Sequence, residues 1–217
     1  MRHSTCGLIL MSNPLSVYLA GPEVFLPNAR EVLATKLAIC EKMGWRGLSP
    51  VDNEVDTTGL SREEIAMAIY QGNVDMMNQA DAIIANITPF RGPHMDPGTA
   101  FEVGYFAAQG KPVMVYTQHP DELLERVVEW SGPESITRSG HEVRDRNAHL
   151  VEDFGMRENL MIEAAIDNQG VDADVVVSPV EFSQVFQCCR GFESACHTLS
   201  NLLSVAKAFA PARRRSP

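Results

Sequence analysis

The sequence predicts an α/β protein built on a parallel sheet. Three observations carry this. Ala82-Ile83-Ile84-Ala85-Asn86-Ile87 and Pro112-Val113-Met114-Val115-Tyr116 are nearly continuous apolar runs, the composition of strands buried on both faces. Between them, Thr99 to Gln109 reads as a small-residue helix closed by Gly110. A strand–helix–strand unit implies parallel pairing with a right-handed crossover. Strands and helices also alternate along the rest of the chain.

Ser16 to Ala20 is a short apolar strand entering a turn at Gly21-Pro22. Asn28 with Glu31 opens a first helix, whose stripe runs Val32, Leu33, Lys36, Leu37, Ile39, Cys40 and Met43 to Gly44. Residues 45–49 form a second strand, stopped by Pro50. Residues 52–59 are turn-rich. Ser61 and Glu64 form a capping box for a helix reaching about Asn78. After the central unit, residues 117–156 are polar and weakly periodic, an excursion with one or two short helices. Glu158 to Ala165 reads as helix, Val175 to Val177 as a short strand and Phe192 to Phe209 as the last helix, before Pro211.

The chain has 217 residues, 45% hydrophobic and 21% charged, the balance of one globular domain. Residues 1–13 read as a flexible extension, with Met11 an alternative start. Residues 14–210 form the domain and 211–217 a basic tail holding Arg213, Arg214 and Arg215. Twenty-eight acids against eighteen bases leave a charge of −10, which argues against a nucleic-acid partner. No apolar run is long enough to span a bilayer, so no membrane partner is expected. Five cysteines without a C-x-x-C point to reduced thiols in the cytoplasm, and no metal-ligand spacing occurs among them or the six histidines. The sequence lacks G-x-G-x-x-G, a P-loop and G-x-S-x-G, which weighs against an NAD enzyme, an ATPase and a serine hydrolase.

Ligands of parallel sheets bind at the carboxyl ends of the strands, so the loops after Ala20, Ile87 and Tyr116 should converge. Asp96 and Glu102 bracket the helix start that follows the buried strand. Two readings are open: an Asp cap with a surface Glu, or two carboxylates at a site where unsatisfied N–H groups favour a polar ligand. The preceding strand favours the second.

Tyr18-Leu19-Ala20-Gly21-Pro22, Ala80-Asp81-Ala82-Ile83-Ile84-Ala85, Asp96-Pro97-Gly98-Thr99-Ala100-Phe101-Glu102-Val103-Gly104, Gly110-Lys111-Pro112 and Asn159-Leu160-Met161 resemble the nucleoside 2-deoxyribosyltransferase family. The resemblance runs from about Ser16 to Val177 and returns at Phe192-Glu193-Ser194-Ala195. It implies a flavodoxin-like, doubly wound parallel sheet with helices on both faces, and no cofactor. It further implies Glu102 as nucleophile, Tyr18 as its orienting donor, Gly21 and Asp96 at the substrate, and Asn159 and Met161 reaching a neighbouring subunit's site in a homo-oligomer, a tetramer or hexamer built from dimers. On the residues alone, Tyr18 reads first as a core strand tyrosine, and Asn159 equally as a helix-start Asn ahead of core Leu160 and Met161.

The implied activity is transfer of 2-deoxyribose between nucleobases in nucleotide salvage, through a covalent deoxyribosyl-glutamate, with net retention. The partners are deoxynucleosides and free bases. Asp96 stands where relatives acting on 5′-monophosphates carry Ser, which favours unphosphorylated nucleosides. Asn73 stands where the family often has an Asp that contacts the base; Asn hydrogen-bonds a base but supplies no carboxyl proton. Asp75, two residues on, does not share its helix face. Residues 178–190 look like an insertion containing Cys188 and Cys189. The competing readings are an N-glycoside hydrolase of deoxynucleosides or 5′-monophosphates and a non-catalytic nucleoside-binding module.

Overall fold

A computed structural model describes residues 13–53, 55–167 and 174–209. The basic tail, Cys6 and all of the N-terminal extension but Asn13 lie outside the described residues. Five parallel strands form the central sheet in the order β2-β1-β3-β4-β8: Arg46–Leu48, Ser16–Ala20, Ala82–Asn86, Val113–Thr117 and Val176–Val177. This is a doubly wound order that reverses at β1, as in flavodoxin-like sheets. Every residue of β1, β3 and β4 is buried, which is why their sequences run apolar without alternation. Each fully buried aliphatic side chain there stabilises the fold by roughly 1.5–3 kcal/mol.

The connecting helices are α1 (Ala29–Lys42), α2 (Arg62–Gln79), α3 (Pro97–Ala108), α4 (Leu123–Ser131), α5 (Leu160–Asp167) and α6 (Arg190–Phe209). Register assigns the sheet faces. Tyr18 pairs with Ile83 and Ile83 with Val113, while Asn86 pairs with Tyr116. Ile83 and Asn86 are three apart and so point to opposite faces. Tyr18 packs on Phe106 of α3, and Tyr116 on Phe192 of α6. Helices therefore cover both faces.

The capping box at Ser61 and Glu64 forms in both directions. The side chain of Asn28 does not cap α1; its carbonyl accepts from Glu31 N at 3.0 Å and Val32 N at 3.2 Å. The polar excursion holds more order than its periodicity implies. Besides α4 it forms a three-stranded antiparallel sheet, β5 (Thr137–Ser139), β6 (Glu142–Arg144) and β7 (Leu150–Val151). These strands are two or three residues long and mostly exposed, so no alternation is visible to announce them. Among the described residues no helix is long and apolar enough to cross a membrane, and no group of His, Cys, Asp and Glu is placed to hold a metal.

Candidate active site

Tyr18 and Glu102 meet at the carboxyl edge. The Tyr18 hydroxyl donates to Glu102 Oε1 at 2.6 Å. Tyr18 is fully buried, and burial together with the neighbouring Glu102 charge pushes its pKa far upward, so it remains a donor. Glu102 lies on the second turn of α3, partly accessible between Phe101 and Val103. Burial raises its carboxyl to about 7; the Tyr18 hydrogen bond opposes that rise and the charge of Asp96 adds to it.

Asp96 meets the cap reading of its position. It is the cap of α3, its Oδ2 accepting from Thr99 N at 2.9 Å and Thr99 Oγ1 at 3.1 Å. Among the described residues nothing bonds its Oδ1. Glu102, by contrast, is not a surface carboxylate.

Gly21 ends β1 with φ +155, a backbone that side chains rarely adopt. A Cβ there would lie 2.1 Å from Glu23 Oε2 and 2.9 Å from the Asn86 Cβ. The space belongs to a buried polar cluster that sequence reading missed. Glu23 Oε1 accepts from Lys36 Nζ, from Asn86 Nδ2 at 2.7 Å and from Tyr116 OH at 3.2 Å. Lys36 also donates to Tyr116 OH at 2.8 Å, and Asn86 Oδ1 accepts from Thr88 N. This cluster ties the carboxyl ends of β1, β3 and β4 to α1. Its signals were present: a Lys on the apolar stripe of α1 and an Asn within a doubly buried strand.

Asn73 accepts from Asn53 Nδ2 at 3.5 Å, a weak contact. Asn53 packs on Gly72, where a Cβ would be 2.1 Å from it, and lines a cavity of about 520 Å³ with Arg30 and Asp56. Asp75 is exposed and accepts from Gln71.

A second buried charge braces the rim. Arg126 donates to the carbonyls of Pro93, Asp121 and Arg157 and to Glu158 Oε2. Glu158 in turn accepts from Met95 N at 2.9 Å and contacts His94 Nδ1 at 2.8 Å. The Glu158 hydrogen bond raises the pKa of His94. Asn159 Oδ1 accepts from Met161 N, capping α5, and its Nδ2 donates to Glu152 at 2.7 Å. None of these bonds reaches Tyr18, Asp96 or Glu102. Met161 is 70% exposed, so it is not the core residue that an apolar helix start suggests.

The architecture is a doubly wound α/β protein with a tyrosine-held carboxylate at the sheet's carboxyl edge. The family described as nucleoside 2-deoxyribosyltransferase matches residues 17–161, and the chain belongs to it. An uncharacterized protein of Schizosaccharomyces pombe is 33% identical over 164 residues, 71% of this chain and 78% of that protein. Among solved structures, a 2-desoxiribosyltransferase from Leishmania mexicana is 30% identical, with a TM-score of 0.53, covering 80% of this chain and 95% of its own. A 2-deoxyribosyltransferase from Bacillus psychrosaccharolyticus is 21% identical, with a TM-score of 0.42, covering 53% and 81% respectively.

Proposed function

We propose that the protein transfers 2-deoxyribose between nucleobases, with Glu102 as nucleophile. The observation that carries this is the Tyr18–Glu102 hydrogen bond beside Asp96. The Glu102 carboxylate attacks C1′ as the glycosidic bond breaks, and the bonding pair leaves with the base nitrogen, which takes up a proton from water; the incoming base later returns its own ring N–H proton to water. The sugar is then an ester of Glu102. A ring nitrogen of a second base attacks C1′ from the opposite face and releases the carboxylate. Two inversions give net retention.

Tyr18 holds one carboxylate oxygen and so fixes the direction of attack. The free Oδ1 of Asp96 accepts from sugar hydroxyls, and its charge disfavours a 5′-phosphate. Gly21 leaves room for the Glu23 carboxylate at the end of β1, and Asn73 hydrogen-bonds the base without protonating it. Asn159 and Met161 complete the site of a neighbouring copy in a dimer-based oligomer, to which the exposure of Met161 is suited. The setting is nucleotide salvage in the cytoplasm. The test is incubation of 2′-deoxyinosine with adenine, followed by chromatography. Formation of 2′-deoxyadenosine supports transfer. Hypoxanthine released equally without adenine makes the protein a hydrolase, and no turnover makes it a binding module.

A further inference from the structure

The loop after β3, helix α4 and residues 182–186 line an open cavity of about 620 Å³. None of Tyr18, Asp96 and Glu102 lines it. The size falls in the range of small-molecule sites, roughly 300–1,000 Å³. Its walls include Phe90, Arg91, His119, Trp130, Phe182 and Phe186. Phe90 and Phe186 meet edge to face, with centroids 5.9 Å apart, while Trp130 is 67% and Phe182 88% exposed. Four aromatic rings from three chain segments thus face one space, two of them with open faces on which a planar ring can stack.

Arg91 is unusual in two respects. Its backbone has φ +58, a conformation that costs a non-glycine residue energy and that gathers at ligand clamps. Its guanidinium lies 4.6 Å from the Phe90 centroid and 5.0 Å from that of Phe25. The two rings thus hold the guanidinium by cation–π contact. Among the described residues no carboxylate or carbonyl bonds its N–H groups. A planar fork of donors matches phosphate oxygens. His119 Nδ1 accepts from Asp121 N, which assigns the ring proton to Nε2 as a further donor. Glu129, also on the wall, is an acceptor for an exocyclic amine.

We propose that this cavity is a second ligand site, separate from the Glu102 site, and that it binds an amino-bearing nucleoside 5′-monophosphate. The phosphate sits on Arg91 and the base among the rings of Trp130, Phe182 and Phe186. The segment 178–190, which looks like an insertion in the sequence, then has a role: it supplies one aromatic wall. Glu129 and the overall charge of −10 oppose a bare anion, so base and phosphate are both required.

Calorimetric titration of the full chain with AMP, adenosine and inorganic phosphate tests this. AMP should bind at least tenfold tighter than either of the others. Arg91→Gly should raise the melting temperature, because glycine adopts positive φ freely, yet weaken AMP at least tenfold; Arg91→Lys should weaken it as well. Phe182→Ala should weaken AMP at least tenfold. Equal affinity for AMP and adenosine would overturn the proposal. So would an Arg91→Gly variant that binds AMP like the wild type.

Discussion

Tyr18 and Glu102, 84 positions apart, are joined by a 2.6 Å hydrogen bond in which the phenol is the donor. The donor favours the charged carboxylate while burial disfavours it, and burial dominates. Removing the carboxylate should therefore abolish the chemistry while the fold persists, because losing a buried carboxylate offsets stranding the Tyr18 hydroxyl. Glu102→Ala is expected to lower transfer by about 10³-fold or more. Its melting temperature at neutral pH should stay close to that of the wild type. A variant with near wild-type turnover would remove Glu102 from the nucleophile's role.

The pH dependence follows from the same balance. A nucleophilic carboxylate must be ionised, so kcat/KM should rise with pH through an inflection near 7. Stability runs the other way. The folded chain keeps a proton that the unfolded chain releases above the ordinary value of 4.5. The stabilisation from this proton is full below 4.5 and is lost as pH rises through about 7, on the order of 3 kcal/mol at most. Denaturant titrations at several pH values should show this loss in the wild type and not in Glu102→Gln. Tyr18→Phe keeps the burial and deletes the donor, so its activity inflection should move above 7.

Asp96 separates a structural from a chemical contribution. Asp96→Ala deletes the cap of α3 and should cost about 1 kcal/mol. Asp96→Ser retains a capping oxygen and should stay within a few tenths of the wild type in denaturation. Both should lose deoxynucleoside turnover if Oδ1 holds the sugar. Both should also shift the Glu102 inflection downward, since a neighbouring negative charge is gone. Equal turnover by wild type and Asp96→Ser would leave the residue a cap and nothing more.

The Glu23–Lys36 pair is almost wholly shielded from solvent. Lys36→Met should destabilise by about 3–5 kcal/mol, because it strands the Glu23 charge. Adding Glu23→Gln should recover part of that loss, as chemical denaturation would show. A double variant no more stable than Lys36→Met alone would mean that the network's worth lies in packing.

Shared sites predict complementation. Asn159→Ser keeps a capping oxygen for α5 while removing the amide. Mixed with Glu102→Ala under verified subunit exchange, it should restore a fraction of wild-type transfer, because one site of each two-fold pair inherits both lesions and the other inherits neither. No recovery from two individually dead variants would assign Asn159 to its own chain.

Sheet and helices were legible where burial is uniform. Val17 to Ala20, Ala82 to Asn86 and Val113 to Tyr116 are apolar because both faces are covered, and a run of that kind needs no alignment to be read. The Ser61 capping box was legible because its signal is local. The antiparallel sheet over 137–151 was not, since it is short, exposed and held by register. Of the candidate site, the Asp96–Glu102 stretch announced itself through its spacing around a helix start. The Glu23, Lys36, Asn86 and Tyr116 cluster did not, because its members come from four separate elements and only the fold unites them. The same holds for Arg126, whose partners are carbonyls and leave no trace in side-chain identity.

That guanidinium grips Pro93, three residues before Asp96, and Arg157, two residues before Asn159. On the proposed function, one side chain thereby sets the approach to a group used at home and to a group lent abroad. A subunit with a lesion at Arg126 would then fail twice, crippling its own pocket and withholding a contact from its neighbour's. In a cell carrying both versions of the chain, such a lesion would act dominantly: intact subunits paired with damaged ones would lose activity without any fault of their own.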